Sequence, residues 1–389
     1  MIENTLYKKN GFLIALFLLQ YTLWIPLMSF INPSILTAIS TMLIVLICII
    51  KNCKQNANIY VLGMFTIVFL LLLLKSIQPG TNIYILVNYL TIAGPAMVIF
   101  LFSFDIQEFL RWAMIFAKVG FWMICWNPFI GNFSYMRFGY GMLPVVLLTY
   151  IDLFYYADKT KVQKLYNFCI IIVGLIEIIL YGARGAVFSL LLFIFIERFC
   201  IRKKRIILNA ILIISAFLIY NNILPILNTF EKLSKEIGIY SYSITKFKMQ
   251  IVSGFDEASS GRDILYQNAL QKIREHPWIG NPIKIDEDGG NYVHNLFLQI
   301  GQDIGVICLV VLIILLVYML IYIWFDKIEI SQRLMGTLLF SIAVGRLMFS
   351  STIWRRPEFW MLLFFFCAMW QKKIFRNLKS IGNSSAPSR

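Results

Sequence analysis

Apolar residues run along this chain in stretches of about 18–22, the length that crosses a bilayer as a helix. The pattern predicts about twelve helices, near 11–30, 35–50, 58–75, 82–102, 109–127, 139–157, 165–181, 184–200, 206–222, 295–324, 331–350 and 357–371. Between 223 and 294 the apolar pattern breaks. Inside that polar stretch Ile264, Leu265, Ala269 and Ile273 recur at helical spacing. They predict an amphipathic helix from Arg262 to Glu275, with Ser259 or Ser260 as its cap and His276-Pro277 as its stop. Gly280, Pro282 and Gly289-Gly290 mark turns after it.

Composition turns this pattern into a class. Of 389 residues, 59% are hydrophobic and 14% charged, with a mean hydropathy of +0.76. Soluble domains carry about 25% charged residues, so a soluble enzyme, a fibre and a disordered binder are all excluded. The expected fold is an all-α polytopic membrane protein. It forms a single integral membrane domain over 1–389, with 223–294 as a large extracytoplasmic loop carrying the amphipathic helix. Lys8 and Lys9 before the first apolar run resemble a signal peptide, but without a small-residue cleavage site the run is read as a retained first helix.

The net charge of +15 would suggest nucleic acid in a soluble protein. Here it reads as topology. With the N-terminus inside, every inner loop is basic: Lys51 and Lys54, Arg111, Lys159 to Lys164, Arg198 to Arg205, and Lys327 with Arg333. Both termini then lie in the cytoplasm, the lipid bilayer is the surrounding partner, and no nucleic acid is involved. None of the seven cysteines falls in the long loop, so no disulfide framework is expected. His276 and His294 are the only histidines, too few for a zinc site in the absence of nearby outer cysteines. No G-x-x-x-x-G-K-[ST] loop is present. No metal and no cofactor are expected.

Some basic residues remain unexplained by topology. Arg137, Arg184, Arg346, Arg355 and Arg356 fall at outer helix ends or in short outer loops, where positive charge is normally depleted. Two readings stand: an anionic ligand, or snorkelling to lipid phosphate. Glu358 is the local acid for Arg355 or Arg356. Arg184 is the sharpest case, because Tyr181-Gly182-Ala183-Arg184-Gly185 is a tight turn opening a helix. A helix N-terminus repels a cation unless an anion joins it, and guanidinium suits phosphate. Arg262 repeats the logic at the start of the loop helix, with a salt bridge to Asp256 or Glu257 as its structural alternative. His294, in Asn291-Tyr292-Val293-His294-Asn295, opens a span where a neutral imidazole is favoured, the form a general base needs. His276 reads as a turn residue, and Asp286-Glu287-Asp288 as a solvated turn. Asp303, with Gln299 and Gln302, sits in a span and keeps open a secondary transporter or exporter of an anionic lipid or solute. No inverted repeat supports that alternative.

Three segments together resemble the O-antigen polymerase and ligase family, the Wzy-type integral membrane glycosyltransferases: YGARGAVFSLLLF (181–193), SSGRDILYQNALQKIREHPWIGNP (259–282) and YVHNLFLQIGQDIGV (292–306). MRFGYGMLP (136–144) is similar to a stretch of polysaccharide polymerases. The resemblance implies a GT-C-like helical fold in the bacterial cytoplasmic (inner) membrane, acting on its outer face upon polyprenyl-pyrophosphate-linked glycans. It implies that Arg184, Arg262 and His294 are the catalytic positions. Arg137, Tyr292, Asn295, Arg355 and Arg356 join Arg184 and Arg262 in binding pyrophosphate or glycan. The expected reaction is metal-independent, inverting polymerisation of undecaprenyl-pyrophosphate-linked repeat units into O-antigen, capsule or exopolysaccharide. The alternative is ligation to a lipid core. A chain-length regulator and a flippase are the candidate protein partners.

Overall fold

The computed structural model describes residues 2–25, 27, 31–129, 134–156, 159–202, 223–236, 245, 248, 252, 262–283, 292–325 and 328–384. Every regular element among them is helical. The longer helices are α1 (Ile2–Trp24), α2 (Pro33–Asn52), α3 (Ile59–Ser76), α4 (Tyr84–Leu101), α5 (Ile106–Ile124), α6 (Tyr135–Tyr155), α7 (Lys161–Tyr181) and α8 (Arg184–Ile196). They continue with α9 (Ile223–Glu236), α10 (Arg262–Glu275), α11 (Leu296–Asp303), α12 (Val306–Phe325), α13 (Ile330–Leu347) and α14 (Pro357–Ser384). Among the described residues, seven of these, α2 to α7 and α12, are long and apolar enough to cross a membrane.

Burial sorts the helices into a core and a rim. α6 is buried from Phe138 to Thr149, and α13 is buried almost throughout. α13 packs on α8 and α14, α14 on α3 and α4, and α6 between α5 and α7. The rim helices show apolar side chains outward: Met42, Ile50, Leu74, Ile307 and Ile314 are all exposed. In water such a surface would aggregate; against lipid tails it costs nothing.

Local chemistry explains the ends. Asn58, Asp105 and Thr160 accept hydrogen bonds from the first free N–H groups of α3, α5 and α7. At the far end of α6 from Tyr140, Asp152 pairs with Lys118 at 2.7 Å and with Lys159. Beyond α8, a single π turn over Glu197–Ile201 pairs Glu197 with Arg202 at 2.6 Å. Of these cations, Lys159 and Arg202 are ones that the sequence reading places at the cytoplasmic face.

The structure departs from the sequence expectations in three places. The helix expected over 295–324 is broken into α11 and α12. Gly305 has φ +101° there, and Val306 N donates to Pro277 O at 2.7 Å, so the turn after α10 wedges into the break. The last helix runs to Ser384 rather than to 371. Residues 223–236, expected as loop, form the amphipathic helix α9, with Leu227 buried and Leu233 exposed. The expected helix over 206–222 lies outside the described residues, as do the Ser259–Ser260 cap and the 286–288 acidic turn. The amphipathic helix over Arg262–Glu275 is present with its expected bounds.

Candidate functional site

The site begins with two glycines. A Cβ on Gly139 would lie 2.6 Å from Ala183 N, and one on Gly185 would lie 2.0 Å from Tyr140 Oη. Only bare backbone at both positions lets the first turns of α6 seat against the 182–185 turn that opens α8. This places Tyr140, 6% exposed, directly against the residue after Arg184. Phe349 lines the same contact, with its Cβ 3.0 Å from the Gly185 Cβ position and its ring 4.9 Å from that of Phe188.

One guanidinium group packs on Tyr140, and the charges of two more from distant segments act on it. Arg346, at the end of α13, lies over its ring with Cζ 4.4 Å from the centroid, a cation–π contact. The charges of Arg356 and Arg262 also reach Tyr140, and those of Arg137, Arg346 and Arg356 reach Tyr21 on α1. Glu358 answers part of this charge: its Oε1 accepts from Arg346 Nη1 at 2.8 Å, and its charge also reaches Arg356. Glu358 thus serves Arg356 through its charge, and its hydrogen-bonded partner is Arg346. Arg346 is 9% exposed, so its charge is held within the fold rather than snorkelled to the surface.

Arg356 precedes α14 and donates from Nε to Ser351 Oγ at 2.7 Å. Burial and the like charge of Arg346 push its guanidinium down to about 10, still charged at neutral pH but electrostatically uncomfortable. An anion beside it would relieve both costs. Tyr292 also bears on Arg356 electrostatically, which joins this cluster to the segment preceding α11.

That segment carries His294. Its ring lies 4.0 Å, centroid to centroid, from the ring of Tyr292. Such closeness two residues apart follows from backbone: His294 has φ +58°. Burial, then the neighbouring Arg262 charge, lowers the imidazole to about 4, against a hydrogen bond with the Phe349 backbone that favours protonation. His294 is therefore neutral at physiological pH, and its Nδ1 has no hydrogen-bond partner among the described residues. Among those residues, His294 and Ser351 are the two non-glycine positions with positive φ. Each such position costs about 1–3 kcal/mol, and both fall in this one cluster.

The remaining sequence candidates are placed as follows. Arg184 opens α8 half-buried, beside the Gly185–Tyr140 contact. Arg137 is exposed in the first turn of α6, and Arg355 is half-buried at the end of the 3₁₀ turn Ile353–Arg355. Asn295 spends its side-chain oxygen capping α11, accepting from Phe297 N at 3.0 Å and Leu298 N at 3.2 Å. Tyr140, Tyr21 and Ser351 were not singled out from sequence. Tyr140 lies inside the MRFGYGMLP stretch, whose alternating glycines were the available signal; Ser351 offered none. Among the described residues, no group of three His, Cys, Asp or Glu side chains is arranged to hold a metal.

Residues 168–313 match the family model described as O-antigen ligase. The match contains Arg184, Arg262 and His294; Tyr21, Tyr140, Arg346 and Arg356 lie outside it. No curated protein matches the chain.

Proposed function

Because residues 168–313 carry an O-antigen ligase family domain, a family of lipid-linked glycan transferases in membranes, we propose that this chain transfers glycans between polyprenyl-pyrophosphate carriers. In the reading preferred from the sequence it is a repeat-unit polymerase in the bacterial cytoplasmic membrane. The single membrane domain holds twelve spans with both termini inside. The 223–294 loop lies outside and carries Arg262 and His294 to the outer face. The observation that carries the proposal is the Arg346 guanidinium over the Tyr140 ring, with the charges of Arg356 and Arg262 acting on the same residue and neutral His294 next to Arg262.

The chemistry follows from charge. The hydroxyl oxygen of the acceptor attacks the anomeric carbon of the donor. The bond from that carbon to the pyrophosphate oxygen breaks, and the leaving group takes its electron pair. Arg184, Arg262 and Arg356, aided by Arg137 and Arg355, neutralise the diphosphate; such preorganised donors are worth about 10²–10³-fold each. His294 takes the proton of the attacking hydroxyl, a role worth roughly 10²–10⁴-fold. Displacement in a single step inverts the anomeric centre. Tyr292 and the Asn295 amide bear on the sugar. A chain-length regulator and a flippase complete the proposed setting.

The ligase reading keeps every residue role and changes only the acceptor, to a lipid core; the family match is compatible with either acceptor. Reconstitution into proteoliposomes without an ion gradient separates the readings. With lipid-linked repeat units alone, a ladder of longer glycan is expected. Product only when lipid core is added selects the ligase. Ion-coupled flux with no glycan product would reject both and favour a transporter. R184A, R262A and H294A are each expected to lose at least about a hundredfold in rate while inserting normally.

A further inference from the structure

Another buried polar cluster joins the segments that carry the site residues. Asp303, the last residue of α11, is 3% exposed. Its Oδ2 accepts from Gln299 Nε2 at 2.9 Å and from Trp354 Nε1 at 3.2 Å. Trp354, 1% exposed, is the middle residue of the 3₁₀ turn that ends at Arg355 and leads into Arg356. One carboxylate oxygen therefore ties the helix that follows His294 to the segment that carries Arg356.

A third element closes the network. Lys75, at the outer end of α3 and 6% exposed, lies within electrostatic reach of Asp303 and donates to Ile279 O at 2.7 Å. Ile279 stands in the turn after α10, the helix that Arg262 opens. The backbone of that turn is bound to the α11 end as well, through Asn281 N to Gln302 O at 2.7 Å. The elements bearing Arg262, His294 and Arg356 thus meet at Asp303. A buried carboxylate whose oxygen already accepts two hydrogen bonds is poorly suited to relaying ions and well suited to fixing geometry.

We infer that Asp303 is a positioning residue: through Trp354 it sets the spacing between Arg356 and His294, and so how the donor diphosphate lies against the base. The inference rests on the glycosyl-transfer reading above. It is tested on the full chain in proteoliposomes with D303N, D303A and W354F, read by donor and acceptor KM and by hydrogen exchange across 350–356. An asparagine oxygen still accepts from the indole and from Gln299, so D303N keeps donor KM within about twofold of wild type. D303A and W354F raise donor KM about tenfold, leave acceptor KM unchanged and speed exchange in 350–356. A residue that merely supports folding would lower the amount of active enzyme and leave both KM values alone. Unchanged donor KM and exchange in D303A and W354F overturns the inference, and so does a loss in D303N equal to that in D303A. Active R262A and H294A would remove the transfer chemistry beneath it and overturn it together with that reading.

Discussion

Ser351 Oγ accepts the hydrogen bond of Arg356 Nε at 2.7 Å, and Ser351 adopts φ +72° to present that oxygen. The hydroxyl aims one guanidinium, and the backbone bears the strain. S351G separates the two effects, since glycine adopts positive φ freely. Relief of the strain makes S351G about 1 kcal/mol more stable than S351A, while loss of the charge-assisted bond raises donor KM about tenfold in both. S351A loses the bond and keeps the strain, so it matches S351G in KM without the gain in stability. Thermal unfolding in detergent and initial-rate kinetics read both quantities. Equal KM in wild type and both variants would detach Ser351 from the site.

The contact of Gly185 with Tyr140 makes a paired prediction. A methyl group on Gly185 would sit 2.0 Å from Tyr140 Oη and 3.1 Å from Cζ, and 3.0 Å from Phe349 Cβ. G185A therefore costs about 1–3 kcal/mol of stability through overpacking. Y140F removes the closest of these atoms, so the double variant G185A/Y140F regains most of that loss. Independent, additive effects of the two substitutions on unfolding would show that the residues do not touch.

How far the sequence reaches is clear from particular residues. Helix α10 was legible to its terminal residues, because Ile264, Leu265, Ala269 and Ile273 supply a helical period and His276-Pro277 ends it. Arg262 and His294 were singled out by their places at the starts of two helical segments and by the family resemblance, and the structure brings the Arg262 charge to bear on the His294 ring. The break between α11 and α12 was hidden: Ile304-Gly305 lies inside a stretch long enough to be read as one helix, and the interruption comes from the Pro277 carbonyl, 29 residues earlier in the chain. Tyr140 and Ser351 were hidden for the same reason. Each acquires its role from a partner brought by tertiary packing, and neither residue type is unusual where it stands. Asp303 was legible as a buried acid, but Trp354, the partner that defines its geometry, lies 51 residues away.

Glu358 sets the charge balance of the cluster. It pairs with Arg346 at 2.8 Å and bears on Arg356, so any diphosphate must compete with it. E358Q removes that competition. Inorganic pyrophosphate is expected to bind about three- to tenfold tighter to E358Q than to wild type at low ionic strength, with the difference shrinking as salt rises. Isothermal titration at two salt concentrations measures this. Weaker binding to E358Q would mean that Glu358 holds Arg346 in its binding pose rather than screening it.

The acid side of the pH profile tests the base. Burial first, then the Arg262 charge, takes His294 from the usual 6.5 down to about 4. A lowered value means that the neutral, proton-accepting ring persists as pH falls and is lost only on passing about pH 4. The acid limb of kcat/KM should therefore lie near pH 4 rather than near pH 6.5. R262Q removes one of the two lowering causes and leaves burial in place. Its acid limb moves upward, toward but not reaching 6.5, while R262K keeps the charge and the wild-type limb. The chain has only two histidines, His276 and His294, so one substitution assigns both imidazole signals and NMR titration gives the same values without turnover. An acid limb that stays fixed in R262Q, with a His294 signal titrating near 6.5, would mean that the Arg262 charge does not act on this ring and that a different group accepts the proton.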